Sequence, residues 1–220
     1  MTRLIAQSSK DRGYSLMELL TVIASIALLV ALILSVVIGA RRRAYVASCT
    51  TQLRQLGLAF RMYLEDMERR PPNLGSLVWA GYLPKDILLC PSDIIGGYGR
   101  LIDKHHLDIY PDVAYSYRYF GYWSDRYWDL LLRDATVGIM VCQLHGQKTE
   151  VSILDRYSGL EFEGLILRLQ ADGAVVQRHV IMERIVCPGE AVRCYSINPW
   201  RLLSDSPPPY PFNVTFPCCN

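Results

Sequence analysis

Between Leu19 and Ala40 the chain runs for 22 residues without a charged side chain, and Arg41-Arg42-Arg43 then closes the run. At the helical rise this stretch is about 33 Å long, enough to cross a bilayer's hydrocarbon core. The apolar region of a secretory signal peptide is shorter, and Val37-Ile38-Gly39-Ala40 matches a small-residue cleavage site poorly. Glu18 stands at the lip of the run, where a carboxylate is costly unless partnered. No proline occurs between Tyr14 and Arg70, so one helix of about 80 Å is allowed. Past the arginines, Val46, Cys49, Leu53, Leu56, Phe60, Tyr63 and Met67 recur at spacings of three and four, with Arg54, Arg61, Glu65 and Glu68 between them. The pattern predicts a helix apolar all round in its first half and along one stripe in its second. Pro71-Pro72 is expected to end it.

Charge narrows the partners. Of 23 Lys and Arg, six fall within residues 1–43, leaving 17 against 19 Asp and Glu in the remainder. A domain that grips nucleic-acid phosphates carries a basic excess, so nucleic acid is disfavoured as a partner. The charges flanking the apolar run do not by themselves orient it, since Arg3, Lys10 and Arg12 oppose Arg41–Arg43.

The segment Gly13-Tyr14-Ser15-Leu16-Met17-Glu18, behind a basic leader and ahead of the apolar run, resembles the prepilin signature of type IV pilins and type II secretion pseudopilins. Tyr14 replaces the commoner Phe. The resemblance implies a leader over 1–13, cleavage after Gly13 by a membrane prepilin peptidase, and methylation of the new amine of Tyr14. It implies an assembly and transmembrane helix over 14–43, a pilin-like globular domain over 44–205 and a Pro/Cys-rich tail over 206–220. It places the leader in the cytoplasm of a bacterial cell and the domain outside the inner membrane. In an assembled fibre, Glu18 facing a neighbour's Tyr14 ammonium would compensate a buried carboxylate and check register between subunits.

Further along, Cys49, Leu53-Arg54-Gln55-Leu56-Gly57, Gly81-Tyr82-Leu83-Pro84 and Cys90-Pro91-Ser92-Asp93 follow the order found in pilin-like proteins of the H-x9-DG type. Asp172-Gly173 are present, but Phe162 and Ala174 stand at the histidine position and after the glycine, which weakens a metal site there. Leu74–Pro84 reads as a short helical turn capped at Gly81. Ala114–Trp123 and Val137–Cys142 read as strands, and Leu165–Leu169, Ala171–Gly173 and Ala174–Val180 as a hairpin. From Val186 on, four cysteines and Pro207-Pro208-Pro209-Tyr210-Pro211 suggest an extended, exposed tail.

Several side chains are candidates for chemistry. Asp103, Asp108 and Asp112, with His105 and His106 nearby, offer oxygen donors suited to calcium, although no EF-hand or zinc spacing surrounds them. Secretion pseudopilins often carry calcium in such a loop, and otherwise no cofactor is implied. Seven cysteines in an oxidising space leave at least one free or paired between chains. Cys49 with Cys90, and Cys187 with Cys194, are candidate disulfides, and Cys142 reads as a buried free thiol. His145 and Ser152 lie in no catalytic motif, so an enzyme is not expected.

The expected fold is α+β and pilin-like: a long N-terminal helix, its first half in the membrane, packed on a small antiparallel sheet. The expected function is structural, as a pseudopilin or minor pilin subunit. Its partners would be prepilin peptidase, other subunits and the inner-membrane assembly platform. The alternatives are a single-pass anchored binding protein, with Tyr115, Tyr117, Tyr119, Tyr122 and Trp123 as a ligand platform, and a competence-pilus subunit in DNA uptake.

Overall fold

The computed structural model describes residues 15–94, 96–97, 113–121, 124–150, 160–181, 183–186, 193–196 and 198–208. The chain forms two compact units, Met1–Ala44 and Tyr45–Asn220. Helix α1, Leu16–Met67, contributes to both.

In the first unit every described side chain of α1 is exposed. Three of its hydroxyls are satisfied within the helix. The hydroxyls of Thr21, Ser25 and Ser35 donate to the carbonyls of Glu18, Val22 and Leu32 at 2.9, 2.8 and 2.8 Å. Internal satisfaction of this kind is what an apolar solvent demands. Among the described residues, one helix is thus long and apolar enough to cross a membrane.

In the second unit α1 buries Cys49, Leu53, Leu56, Gly57, Ala59, Phe60 and Tyr63. The stripe read from the sequence is there, with Val46 half-buried and Met67 exposed at its ends. Gly57 permits the closest approach to the sheet, because a Cβ there would lie 3.1 Å from Leu169 Cδ1. The helix ends at Met67, before the prolines expected to stop it. Glu68 turns the chain at φ 52°, a left-handed conformation, while its N–H still reaches Leu64 O at 3.0 Å. Arg70 then ties the exit to the next layer, with Nη2 2.5 Å from Asp125 Oδ1.

Helix α2, Gly75–Trp79, closes as expected. The N–H groups of Gly81 and Tyr82 donate to Val78 O and Leu77 O, both at 3.0 Å, with Gly81 at φ 81°. A 3-10 turn, Lys85–Leu88, leads to Cys90. Among its described residues the aromatic stretch pairs as a strand over β1, Arg118–Tyr119, because the preceding backbone bonds elsewhere: Ser116 N–H donates to Leu88 O at 2.8 Å. A second difference follows in helix α3, Asp125–Arg133, which lies between the two stretches read from the sequence as strands. Its signals are local. Ser124 caps Tyr127 N–H at 3.0 Å, Asp125 sits in the first turn and Arg133 in the last.

Strands β2 (Gly138–Cys142), β3 (Gln147–Glu150), β4 (Leu160–Gln170) and β5 (Val175–Val180) complete an antiparallel sheet with β1. β4 is its long central ribbon. Cys142 pairs opposite Leu167, and β3 takes up the pairing with Gln147 opposite Glu163. On β4 the β5 register runs from Gly164–Val180 to Leu169–Val175. The hairpin turn is the expected one: Gly173 adopts φ 87° and its N–H donates to Gln170 O at 2.9 Å. β6 (Glu183–Val186) and β7 (Arg193–Ser196) form a separate two-stranded ribbon.

The chain past Val186 is not simply an exposed tail. Helix α4, Pro199–Leu203, buries Trp200, Leu202 and Leu203 in the core. Arg168, buried on β4, holds it by donating from Nε to Leu202 O at 2.7 Å and from Nη2 to Arg201 O at 2.8 Å. These are carbonyls at the helix's C-terminal end, where a cation is favoured. Asp205 completes the clamp, 3.2 Å from Arg168 Nη1 and 2.7 Å from Arg178 Nε.

Two expected outcomes follow from this packing. Gly57→Leu should destabilise the domain by about 1–3 kcal/mol through overpacking against Leu169, outweighing a helix-propensity gain of about 1 kcal/mol. Its denaturation midpoint against wild type measures this. Burial works to raise the Asp205 carboxyl, but the Arg178 hydrogen bond and the Arg168 charge outweigh it and hold the group below its usual range. A depressed folded value stabilises above the unfolded carboxylate pKa, about 3.9, and the stabilisation is lost as pH falls through the lower folded value. Asp205→Asn should therefore narrow its stability gap to wild type as the thermal midpoint is followed from neutral pH into acid.

Candidate functional site

Cys49 stands on α1, Cys90 just past the 3-10 turn, Cys142 at the end of β2, and His145 in the turn toward β3. Three segments remote in sequence deliver these side chains to one place, Cys142 and His145 sharing the last of them. Their Sγ atoms and a ring nitrogen all lie within 4.8 Å of one another, and all four residues are buried. His145 Nε2 is 3.6 Å from Cys90 Sγ, while its Nδ1 is 3.2 Å from Ser92 Oγ. Gly146 makes the turn possible, since a Cβ there would sit 2.2 Å from Glu163 O.

The surroundings position the donors. Ser92 N–H donates to Cys90 Sγ at 3.4 Å. Ser116 Oγ accepts from Cys90 N–H at 2.9 Å and donates to Asp93 Oδ2 at 2.6 Å. Asp93 in turn accepts from the N–H groups of Gly96 and Gly97 at 3.0 Å each, so the Cys90–Gly97 loop is organised around one carboxylate. Cys49 Sγ donates to Tyr117 Oη at 3.7 Å, and Tyr117 O–H donates to Gln52 Oε1 at 2.8 Å.

The three thiols do not titrate alike. Hydrogen bonds from Cys142 and Cys49, with His145 adding, hold Cys90 well below the usual thiol range. Burial pushes Cys142 up. Cys49 also lies above its usual range: a Cys142 hydrogen bond lowers it, but the Cys90 hydrogen bond and burial prevail.

Cys49 and Cys90, a candidate disulfide in the sequence, do come together, but as free thiols with Cys142 and His145 as third and fourth members. The sequence missed the group because its members lie far apart; only Cys142 and His145, three residues apart, show a local ligand spacing. Gly13, Tyr14, Asp103, Asp108, Asp112, His105, His106 and Cys187 lie outside the described residues, as does the side chain of Cys194. Glu18 is exposed, and its Oε2 accepts the Ser15 N–H at 2.9 Å, one arm of a capping box. Of the aromatic platform, Tyr117 and Tyr119 are turned into the core and Tyr115 is half-buried; Tyr122 and Trp123 lie outside the described residues.

The fold and site define an α+β domain whose first helix begins as an apolar segment of membrane-crossing length. Comparison with protein-family models, with curated proteins and with solved structures gives no match to this chain.

Tyr117→Phe removes the hydroxyl that joins Cys49 to Gln52 and should cost about 0.5–1.5 kcal/mol, read from the urea midpoint.

Proposed function

We infer that the chain is a structural subunit of the pilin and pseudopilin kind, anchored by the first half of α1 and assembled through it. The observation that carries this reading is α1 itself: wholly exposed and apolar through its first half, then the buried spine of a small antiparallel domain. A plain anchor needs only hydrophobicity. A subunit helix must satisfy lipid first and neighbouring helices afterwards. Ala24, Ser25, Ala27 and Ala31 supply the small side chains that let helices approach closely, where packing provides much of the association energy. Glu18 adds a charge at the lip of the run whose bond to Ser15 leaves carboxylate capacity for a partner's amine. Prepilin peptidase, other subunits and an inner-membrane platform are the partners this reading requires, with the domain outside the cytoplasm.

Crosslinking in the native host tests it, with three chains compared: wild type, Glu18→Ala, and a poly-Leu replacement of Leu19–Ala40. Wild type should give a ladder of oligomers, and both variants should insert in the membrane yet lose it. Identical ladders in all three, or none in wild type, would assign the helix to simple anchoring.

A further inference from the structure

We propose that Cys49, Cys90, Cys142 and His145 form a structural zinc site that fastens α1 and the Cys90 loop to the sheet. The proposal stands on the cluster alone and does not depend on the assembly reading.

The donor set is the first argument. Three sulfurs and one imidazole nitrogen, converging from three segments, make a closed Cys3His set, one of the tetrahedral combinations that structural zinc takes. Zinc bonds of about 2.3 Å to sulfur and about 2.0–2.1 Å to nitrogen place sulfur and nitrogen about 3.6 Å apart across a tetrahedral edge. The Cys90 Sγ to His145 Nε2 separation is 3.6 Å. All four donors are protein atoms, which suits a site that holds structure; a catalytic zinc keeps one position open.

The outer contacts are the second argument. A metal-bound imidazole donates its other N–H to a fixed acceptor, which sets the tautomer. Ser92 Oγ meets His145 Nδ1 at 3.2 Å and leaves Nε2 turned to the sulfurs. Ser92 also gives its N–H to Cys90 Sγ at 3.4 Å, a bond that stabilises sulfur as thiolate. One residue thereby orients two ligands. Buried cysteines that serve only as small apolar fillers require neither contact. A disulfide between any two of the sulfurs would leave the third thiol and His145 unexplained.

Binding releases whatever protons the cysteines still carry as Zn²⁺ takes their place, so occupancy falls in acid. The site joins positions about 40 and about 50 residues apart along the chain, spans over which a cross-link removes substantial loop-closure entropy from the unfolded state.

The test uses the full chain in detergent, purified reduced and without chelator, then loaded with zinc alone and dialysed. About one zinc per chain is expected, and X-ray absorption should show three sulfurs at about 2.3 Å and one nitrogen at about 2.0 Å. Cobalt(II) in place of zinc should give the visible bands of a tetrahedral thiolate site. Cys142→Ser and His145→Ala should each lose the metal, whereas replacing Cys187, Cys194, Cys218 and Cys219 with Ser should leave it. Because the first two variants risk misfolding, Ser92→Ala supplies a graded reading: zinc affinity about 10- to 100-fold weaker by chelator competition, with the metal still bound. Failure of the reduced wild-type chain to take up zinc, a ligand set other than three sulfurs and one nitrogen, unchanged affinity in Ser92→Ala, or zinc retained in Cys142→Ser would each overturn the proposal.

Discussion

The stripe that α1 buries between Cys49 and Tyr63 is the surface against which the rest of the second unit is laid. Leu53, Leu56 and Phe60 are almost fully removed from water, each worth about 1.5–3 kcal/mol when buried. Phe60 meets Tyr119 and Trp128 edge-on, with ring centroids 5.9 and 6.1 Å away, so one helix side chain touches β1's aromatic and α3 at once. Gly57 brings the helix close enough for Leu169 of the central strand to pack on its backbone. Without that approach β4 would lie farther from the spine, and the interdigitation of core residues would open into voids.

The same stripe limits where the polar cluster can form. Cys49 is its first fully buried member, at the end nearest the exposed half of α1. There the loop after the 3-10 turn and the end of β2 converge, and the core changes from leucine and aromatic packing to sulfur, imidazole and hydroxyl. Ser116 and Tyr117 continue it as a hydrogen-bonded rim, ordered by Asp93 and Gln52. A buried polar patch is costly when partly satisfied. Its convergence on four soft donors gives these groups a common partner.

Elements with short-range physical signals were legible in the sequence. The apolar run and the three-four stripe gave α1, the Gly81 cap gave the end of α2, and Asp172-Gly173 gave the hairpin turn, because each depends on spacing or on a residue's own conformational range. The missed elements depend on remote partners. Glu68 ends α1 in a left-handed conformation that nothing in its own chemistry announces. α4 looks too short and too near the prolines to be stable alone, and it is held by Arg168, some 30 residues earlier in the chain. α3 was the avoidable miss, since Ser124-Asp125 is a helix start that the aromatic pattern just before it concealed.

The H-x9-DG pattern that the sequence resembles has a histidine where Phe162 stands, and its absence weakened a metal at that position. Chemistry in the fold is not tied to that position. His145 enters from the turn after β2, and Gly146, pressed against Glu163 O, is what lets that turn fold tightly enough to bring the imidazole to the sulfurs. Cysteine counting could not have found the set either, because parity and compartment speak for disulfides while three sulfurs around one imidazole speak for a cation. Pairing uses sulfurs two at a time and gives no role to nitrogen; coordination uses all four donors and needs Ser92 where it stands. Geometry therefore separates the two chemistries at this site.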